Sequence, residues 1–390
     1  MRRAPDALVV GGGVVGAAVA WSLASAGLAV RLVERGEVAG EASGAAAGML
    51  APIGESHDDG PLRRAGLASL ALFPDLVAEL RERSGIDPEL VRSGCLHVAA
   101  DPSEAAALAA RARAGAALGL AWLGREELSR TAPALRAEGA LFSPQEAHVR
   151  SPLLARAFAA AAESCGAELA TGVAVRGLLR AGERVCGVES SAGPLASGLV
   201  VLCPGSFAAE CAGWIGPEAR IPVEPVRGQI VALELPPALP RTIVWGRGKG
   251  FTAGASRRGL VPRSEAEPSE GGVYLVPRLD GSLVVGATVE RVGFDRRVTA
   301  AGVATLLGAA QALAPTLADA SFLGAWAGLR PDTPDHLPLV GPWPGVPGLV
   351  LATGHFRNGV LLAPLTARLV RDGVLGKGWG EPAFDPGRFR

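Results

Sequence analysis

Lysine is nearly missing from this 390-residue chain: of 38 basic residues, only Lys249 and Lys377 are lysine. Tyrosine occurs once, at Tyr274, and methionine twice. The five cysteines, Cys95, Cys165, Cys186, Cys203 and Cys211, are scattered, odd in number and without a CxxC pair. That pattern argues against a disulfide framework and a structural zinc, and fits a reducing compartment. A charge bias is absent too, with 38 basic and 38 acidic residues. Partners that are polyanions, nucleic acid or an anionic membrane, normally call for a basic excess.

Long membrane-type runs are also lacking. Ala7 to Val30 carries no charge and is long enough to cross a bilayer, but Gly11, Gly12, Gly13, Gly16 and Gly27 divide it into a short strand and a helix. In the second uncharged run, Val298 to Ala318, apolar residues recur at helical spacing. It is expected to be a packed helix with Thr299 as N-cap. The expected location is the cytoplasm, with no stable membrane insertion. What is plentiful is apolar side chain, 49% of the residues, enough for a sizeable core and at least two domains.

The first motif is Gly11-Gly12-Gly13-Val14-Val15-Gly16, a G-x-G-x-x-G between an apolar strand (Ala7 to Val10) and a helix predicted over 14–25. Gly11 serves the tight turn, Gly13 the approach of a pyrophosphate to the helix N-terminus, and Gly16 the packing of helix on strand. A second strand, 29–33, ends at Glu34, where an acid bonds a ribose hydroxyl. A carboxylate there repels a 2′-phosphate, which disfavours NADP; the motif itself does not separate FAD from NAD.

Further along, residues 40–52 are a small-residue stretch suited to backbone lying close to an extended ligand. Helices are predicted over 61–83, 103–118 and 151–165, the last with Ser151 as N-cap and Pro152 in its first turn. Strands are predicted over 167–175, 184–190 and 197–203, antiparallel alternation over 221–235 and 273–289, and a strand with following helix from 349 to about 373. A βαβ opening, an antiparallel middle and a βα ending predict a nucleotide domain completed by distant segments.

Seven blocks in this order carry a family resemblance: GGGVVG (11–16), EASGAAAGMLAP (41–52), HVRSP (148–152), PVRGQ (225–229), YLVPR with DGSLVVGAT (274–288), WAGLRPDTPD (326–335) and GHFRNGVLLAP (354–364). The chain resembles the flavin amine and D-amino-acid oxidases, and within them the glycine oxidases of the thiamine-biosynthesis type. The resemblance implies an α/β chain. A Rossmann-like FAD-binding domain would be assembled from 1–85, 150–218 and 325–390, and an antiparallel-sheet α+β substrate domain from 86–149 and 219–324. It implies non-covalent FAD, since no cysteine follows Cys211 to attach it.

The same resemblance implies site residues. Val14 and Val15 lie in the phosphate loop, Glu34 and Arg35 at the adenosine ribose, and Val173 meets the adenine through its backbone. Ala42, Ser43, Ala47, Gly48 and Met49 line the flavin side, and His355, Phe356, Arg357, Asn358, Gly359, Val360 and Leu361 wrap the isoalloxazine. Arg330 clamps the substrate carboxylate, Tyr274 helps hold it, and Arg357 and Met49 stand nearby. The implied reaction is hydride transfer from an amino-acid Cα to flavin with O2 as acceptor, needing no general base. Alternatives are a dehydrogenase that passes electrons to a quinone or carrier, and a flavin-binding module without catalysis. A homotetramer and a link to thiazole synthase are likewise implied. Two departures stand out: an insertion over 246–272, either a lid or a surface insertion, and Phe207 where relatives often have tryptophan.

Overall fold

The computed structural model describes residues 4–55, 59–247 and 272–389. The predicted insertion over 246–272 therefore lies almost wholly outside the described residues. One layer is a six-stranded sheet centred on the buried strand Ala7–Val10. That strand pairs in parallel with Val30–Val33 on one side and Val200–Leu202 on the other. Glu168–Ala170 and Leu349–Thr353 extend the parallel order outward, and Leu339–Pro342 closes one edge antiparallel. Segments separated by more than a hundred residues thus form one sheet.

The helix Val14–Ser25 packs between Ser151–Ser164 and Gly359–Val374. A helix covered on two sides and by a sheet has little polar face to show. That accounts for the uncharged run: Ala17, Ala18, Val19, Ala20 and Leu23 are completely buried. On the opposite face of the sheet sit the meander Val175–Ala181, Arg184–Ser190 and Gly193–Ala196 and the helix Ala208–Ile215.

The second layer is an eight-stranded sheet ordered Phe322–Asp332, Glu224–Glu234, Ser282–Gly286, Val273–Pro277, Ile243–Gly246, Cys95–Ala99, Gly139–Ser143 and Ala121–Gly124. It is antiparallel except where Ile243–Gly246 meets Cys95–Ala99. The helix Ala300–Leu313 covers one face, its first turn capped by the Thr299 hydroxyl accepting from Gly302 N, as expected.

Several boundaries differ from the sequence reading. The helix expected over 61–83 is two, Pro61–Leu70 and Phe73–Ser84, the second beginning at a proline-bearing first turn. The strand expected over 167–175 divides at Gly172, whose φ of +70° turns the chain. Ser151 is not the N-cap; Arg150 holds that position, and the Ser151 hydroxyl donates to Ser43 O at 2.6 Å. The boundary placed at 325 falls inside Phe322–Asp332, whose ladder to Glu224–Glu234 keeps all of 322–332 in the eight-stranded sheet. Among the described residues, no helix is long and apolar enough to cross a membrane.

Candidate active site

One cleft, with an empty volume of about 1160 Å³ including its mouth, runs from the glycine motif to the eight-stranded sheet. At its first end, Gly11 (φ +112°) lies under Cys203: an added β-carbon would stand 2.3 Å from Cys203 O. At Gly16 the same atom would stand 1.9 Å from Gly11 O, so only glycine lets the helix start this close to the strand. Gly13, Val14, Val15 and Gly16 line the cleft, and the positive end of the Val14–Ser25 helix opens onto it. Ser43 belongs here as well as to the central wall, since its hydroxyl accepts from Val14 N at 2.9 Å.

Glu34, Arg35 and Val173 stand together just beyond that end. The Glu34 carboxylate is already oriented by Gly12 N (2.6 Å) and Gly36 N (2.7 Å), and Val173 N donates to Glu34 O at 3.0 Å. Arg35 bonds Glu41 at 2.9 Å and lies 3.8 Å over the Phe207 ring, which stacks in turn on Phe294. The Phe207 departure thus keeps an aromatic platform for Arg35.

The central wall is made of side chains no larger than a hydroxymethyl group: Ala42, Ser43, Ala45, Ala46, Ala47 and Gly48, followed by Met49. Gly48 has φ +70°, and a β-carbon there would meet Val149 O at 2.0 Å. Arg278, the arginine of YLVPR, secures this wall from behind: it donates to Ala47 O at 2.5 Å and Val149 O at 3.0 Å and lies against His148 Nδ1 at 3.3 Å. Burial, then the Arg278 charge, pushes His148 down to about 3, and burial lowers Arg278 to about 10.

At the far end, the sheet presents Tyr274, Arg330 and, across the cleft, Arg357. Two glycines make room for them. A β-carbon at Gly286 would lie 2.3 Å from the Tyr274 hydroxyl, and one at Gly228 would lie 2.3 Å from Arg330 Nη2. Arg330 Nη1 donates to Thr288 O at 3.0 Å, which fixes the guanidinium plane. Burial raises the Tyr274 phenol above its usual range, against the pull of Arg330 and Arg357, so it stays a donor at neutral pH.

Sequence reasoning missed Glu55. Its carboxylate oxygen stands 3.2 Å from Arg357 Nε and lines the same cleft. The available signal was its place as the first charge after the uncharged stretch 42–54. Its short helix, Pro52–Glu55, is held by the fully buried Glu146, which accepts from Ile53 N at 2.8 Å, Gly54 N at 3.0 Å and pairs with His97 at 2.7 Å. Cys95 joins these two, the three donor atoms lying within 4.8 Å of one another. Burial, then Glu146, pushes the Cys95 thiol well above its usual range. The cluster's carboxylate is spent on amides and an imidazole that hold the helix.

The GHFRNG segment closes the cleft. Phe356 N donates to Pro331 O at 2.7 Å, in a left-handed backbone conformation (φ +46°). His355 is buried, its Nε2 against Thr366 Oγ1 at 2.9 Å, and burial lowers it to about 3. Asn358, Gly359 and Val360 line the cleft where the Gly359–Val374 helix begins, giving a second helix N-terminus there. Leu361 does not reach it: its side chain is in the core, and its carbonyl accepts from Ser69. Of the expected residues, then, Gly11, Glu34, Arg35, Val173 and Leu361 stand off the lining, and the rest share it.

A dinucleotide cradle running into a sheet that presents a buried phenol and a guanidinium, with a second guanidinium on the loop that closes the cleft, defines a redox enzyme of the dinucleotide-binding class. The family model described as FAD dependent oxidoreductase (DAO) matches residues 6–372, and the chain belongs to that family. The glycine oxidase of Geobacillus kaustophilus is 37% identical, over 100% of this chain and 97% of that protein. Its crystal structure superposes with a TM-score of 0.86 at 35% identity, covering 98% of each chain. The bifunctional protein ThiO/ThiG of Nostoc sp. is 34% identical over 94% of this chain, which corresponds to 52% of that longer protein. FAD is accordingly the cofactor. The small-residue wall, the close-packed glycines and the two helix N-termini fit a long anionic ligand with a flat end.

Proposed function

We propose that this protein is an FAD-dependent oxidase of glycine and other small amines such as sarcosine and D-alanine, with O2 as acceptor and peroxide as product, glycine being converted with water to glyoxylate and ammonia. The carrying observation is continuity: one cleft joins the phosphate loop at Gly13 to Tyr274 and Arg330. The glycine oxidase relative supports the substrate class. Bound FAD supplies the hydride acceptor. Arg330, oriented by Thr288 O, takes the substrate carboxylate through its planar fork, and the Tyr274 hydroxyl donates a further hydrogen bond. This fixes the Cα–H bond toward the flavin end of the cleft. The positive charge of Arg330 favours loss of the ammonium proton, so no side chain has to act as base. Val14 and Asn358 to Val360 hold the cofactor's ends, while Ile230 and Met49 keep the reacting face apolar. Burial pushes the cleft's cysteine, Cys203, far above its usual range, and it sits at the phosphate end, in keeping with non-covalent FAD.

Anaerobic addition of glycine should bleach the flavin band, and admission of oxygen should release one peroxide per glyoxylate. Bleaching without peroxide, but with reduction of a quinone analogue, would instead establish a dehydrogenase; no bleaching would leave a flavin-binding module. The relatives in which ThiO and ThiG share one chain support a partnership with thiazole synthase, with the oxidised glycine consumed in thiamine formation.

A further inference from the structure

Among the described residues lining the cleft, Glu55 is the one carboxylate, and the chemistry proposed above leaves it without a task. It stands 3.2 Å from Arg357 Nε, and both side chains are mostly buried, at 16% and 18% exposure. The Arg357 guanidinium lies 5.7 Å from the Trp245 ring, and Arg247 stacks on the same ring at 4.8 Å. Burial lowers Arg247, Glu55 draws it back up, and Arg357 lowers it further, so the three charges feel one another. Two guanidiniums, Arg357 and Arg247, therefore gather at the Trp245 ring, and the Glu55 carboxylate stands with them.

A substrate of glycine's size brings one carboxylate, and Arg330 with Tyr274 receives it. A substrate with a second carboxylate would turn to Arg357, the next cation along the cleft. We infer that Glu55 is a specificity-determining residue: by pairing with Arg357 and facing the cleft with its own negative charge, it excludes substrates that carry a second carboxylate. The inference rests on the amine-oxidase reading and adds to it a repulsive element, the second half of any specificity. Glu146 is the positioning residue behind it, since its hydrogen bonds to Ile53 N and Gly54 N set the helix from which Glu55 projects.

Sarcosine and N-carboxymethylglycine differ by a single carboxylate, so their ratio of kcat/KM reads this exclusion directly. In FAD-loaded enzyme, Glu55→Gln should raise the ratio in favour of the dicarboxylate by about tenfold or more, mainly through KM, the scale of one like-charge contact at a partly buried site. Glu55→Asp should keep the ratio near that of the wild type. An unchanged ratio in Glu55→Gln, or an equal rise in Glu55→Asp, overturns the inference. Wild-type enzyme bleached by neither amine would refute the oxidase reading instead. Charge selection would then be read from binding of acetate against malonate, followed by flavin absorbance. Glu55→Gln must again favour the dianion, and equal selectivity would overturn the inference on its own.

Discussion

Gly228→Ala places a methyl group where the guanidinium of Arg330, the proposed carboxylate clamp, now sits. The new β-carbon would lie 2.3 Å from Arg330 Nη2 and 2.4 Å from both Cζ and Nη1. Ordinary contact begins near 3.4 Å, so the guanidinium must withdraw by about 1 Å. The backbone has no reason to move first, because Gly228 sits mid-strand, paired with Gly328, and outside the left-handed region. A displacement of that size breaks the bidentate geometry toward a carboxylate. A charge-assisted hydrogen bond contributes about 1.5–3 kcal/mol, so losing one or weakening both lowers kcat/KM by roughly 10- to 100-fold. The assay is peroxide release against glycine concentration, with flavin absorbance per protein confirming that FAD is retained. A kcat/KM within about twofold of wild type would show that Arg330 is not the carboxylate anchor, or that the space above Gly228 is not what positions it.

Arg330→Ala should raise the glycine KM by at least about 10²-fold while FAD stays bound; unchanged kinetics would move the carboxylate site elsewhere. Tyr274→Phe removes the chain's only phenol, so a fall of about tenfold in kcat/KM, with no phenol signal left in ultraviolet difference spectra, isolates one neutral hydrogen bond. Glu146→Leu leaves Ile53 N, Gly54 N and His97 without their acceptor and should cost about 3 kcal/mol or more in urea unfolding; a loss below about 1 kcal/mol would refute the structural role given to that carboxylate. His148 and His355 are both held neutral, each lowered from 6.5 to about 3. The unfolded chain binds their protons first, so their contribution to stability is intact above pH 6.5 and is lost as pH falls toward 3. Stability should drop there by about 1.4 kcal/mol per pH unit for each histidine, and His355→Gln should flatten the slope.

Elements with a local signature were legible before the structure was known. The strand–glycine–helix opening, the Thr299 cap and the final strand and helix each declare themselves within a few residues. The strands Cys95–Ala99, Ala121–Gly124 and Gly139–Ser143 did not, because runs of four or five residues among alanine-rich helices carry little periodicity. At the site, the resemblance located Arg330, Tyr274 and Arg357, but their environment is non-local. Gly228 and Gly286 matter because of side chains on neighbouring strands, and Glu55 because of Arg357, three hundred residues away in the chain. Such pairings exist only after the sheets have formed.

The six-stranded sheet also sets a schedule for biogenesis. Its central strand is made from the first ten residues, yet its neighbour Val200–Leu202 stays an open edge until Leu349–Thr353 arrives, and the residues at 355–360 that close the cleft come later still. A chain emerging from the ribosome therefore cannot complete this cleft until the segment 349–360 has been made. Cofactor capture therefore follows synthesis of that late segment, and until then the sheet keeps an uncovered edge. Flavin supply should then govern how much active protein accumulates in the cell as well as how much of it is loaded.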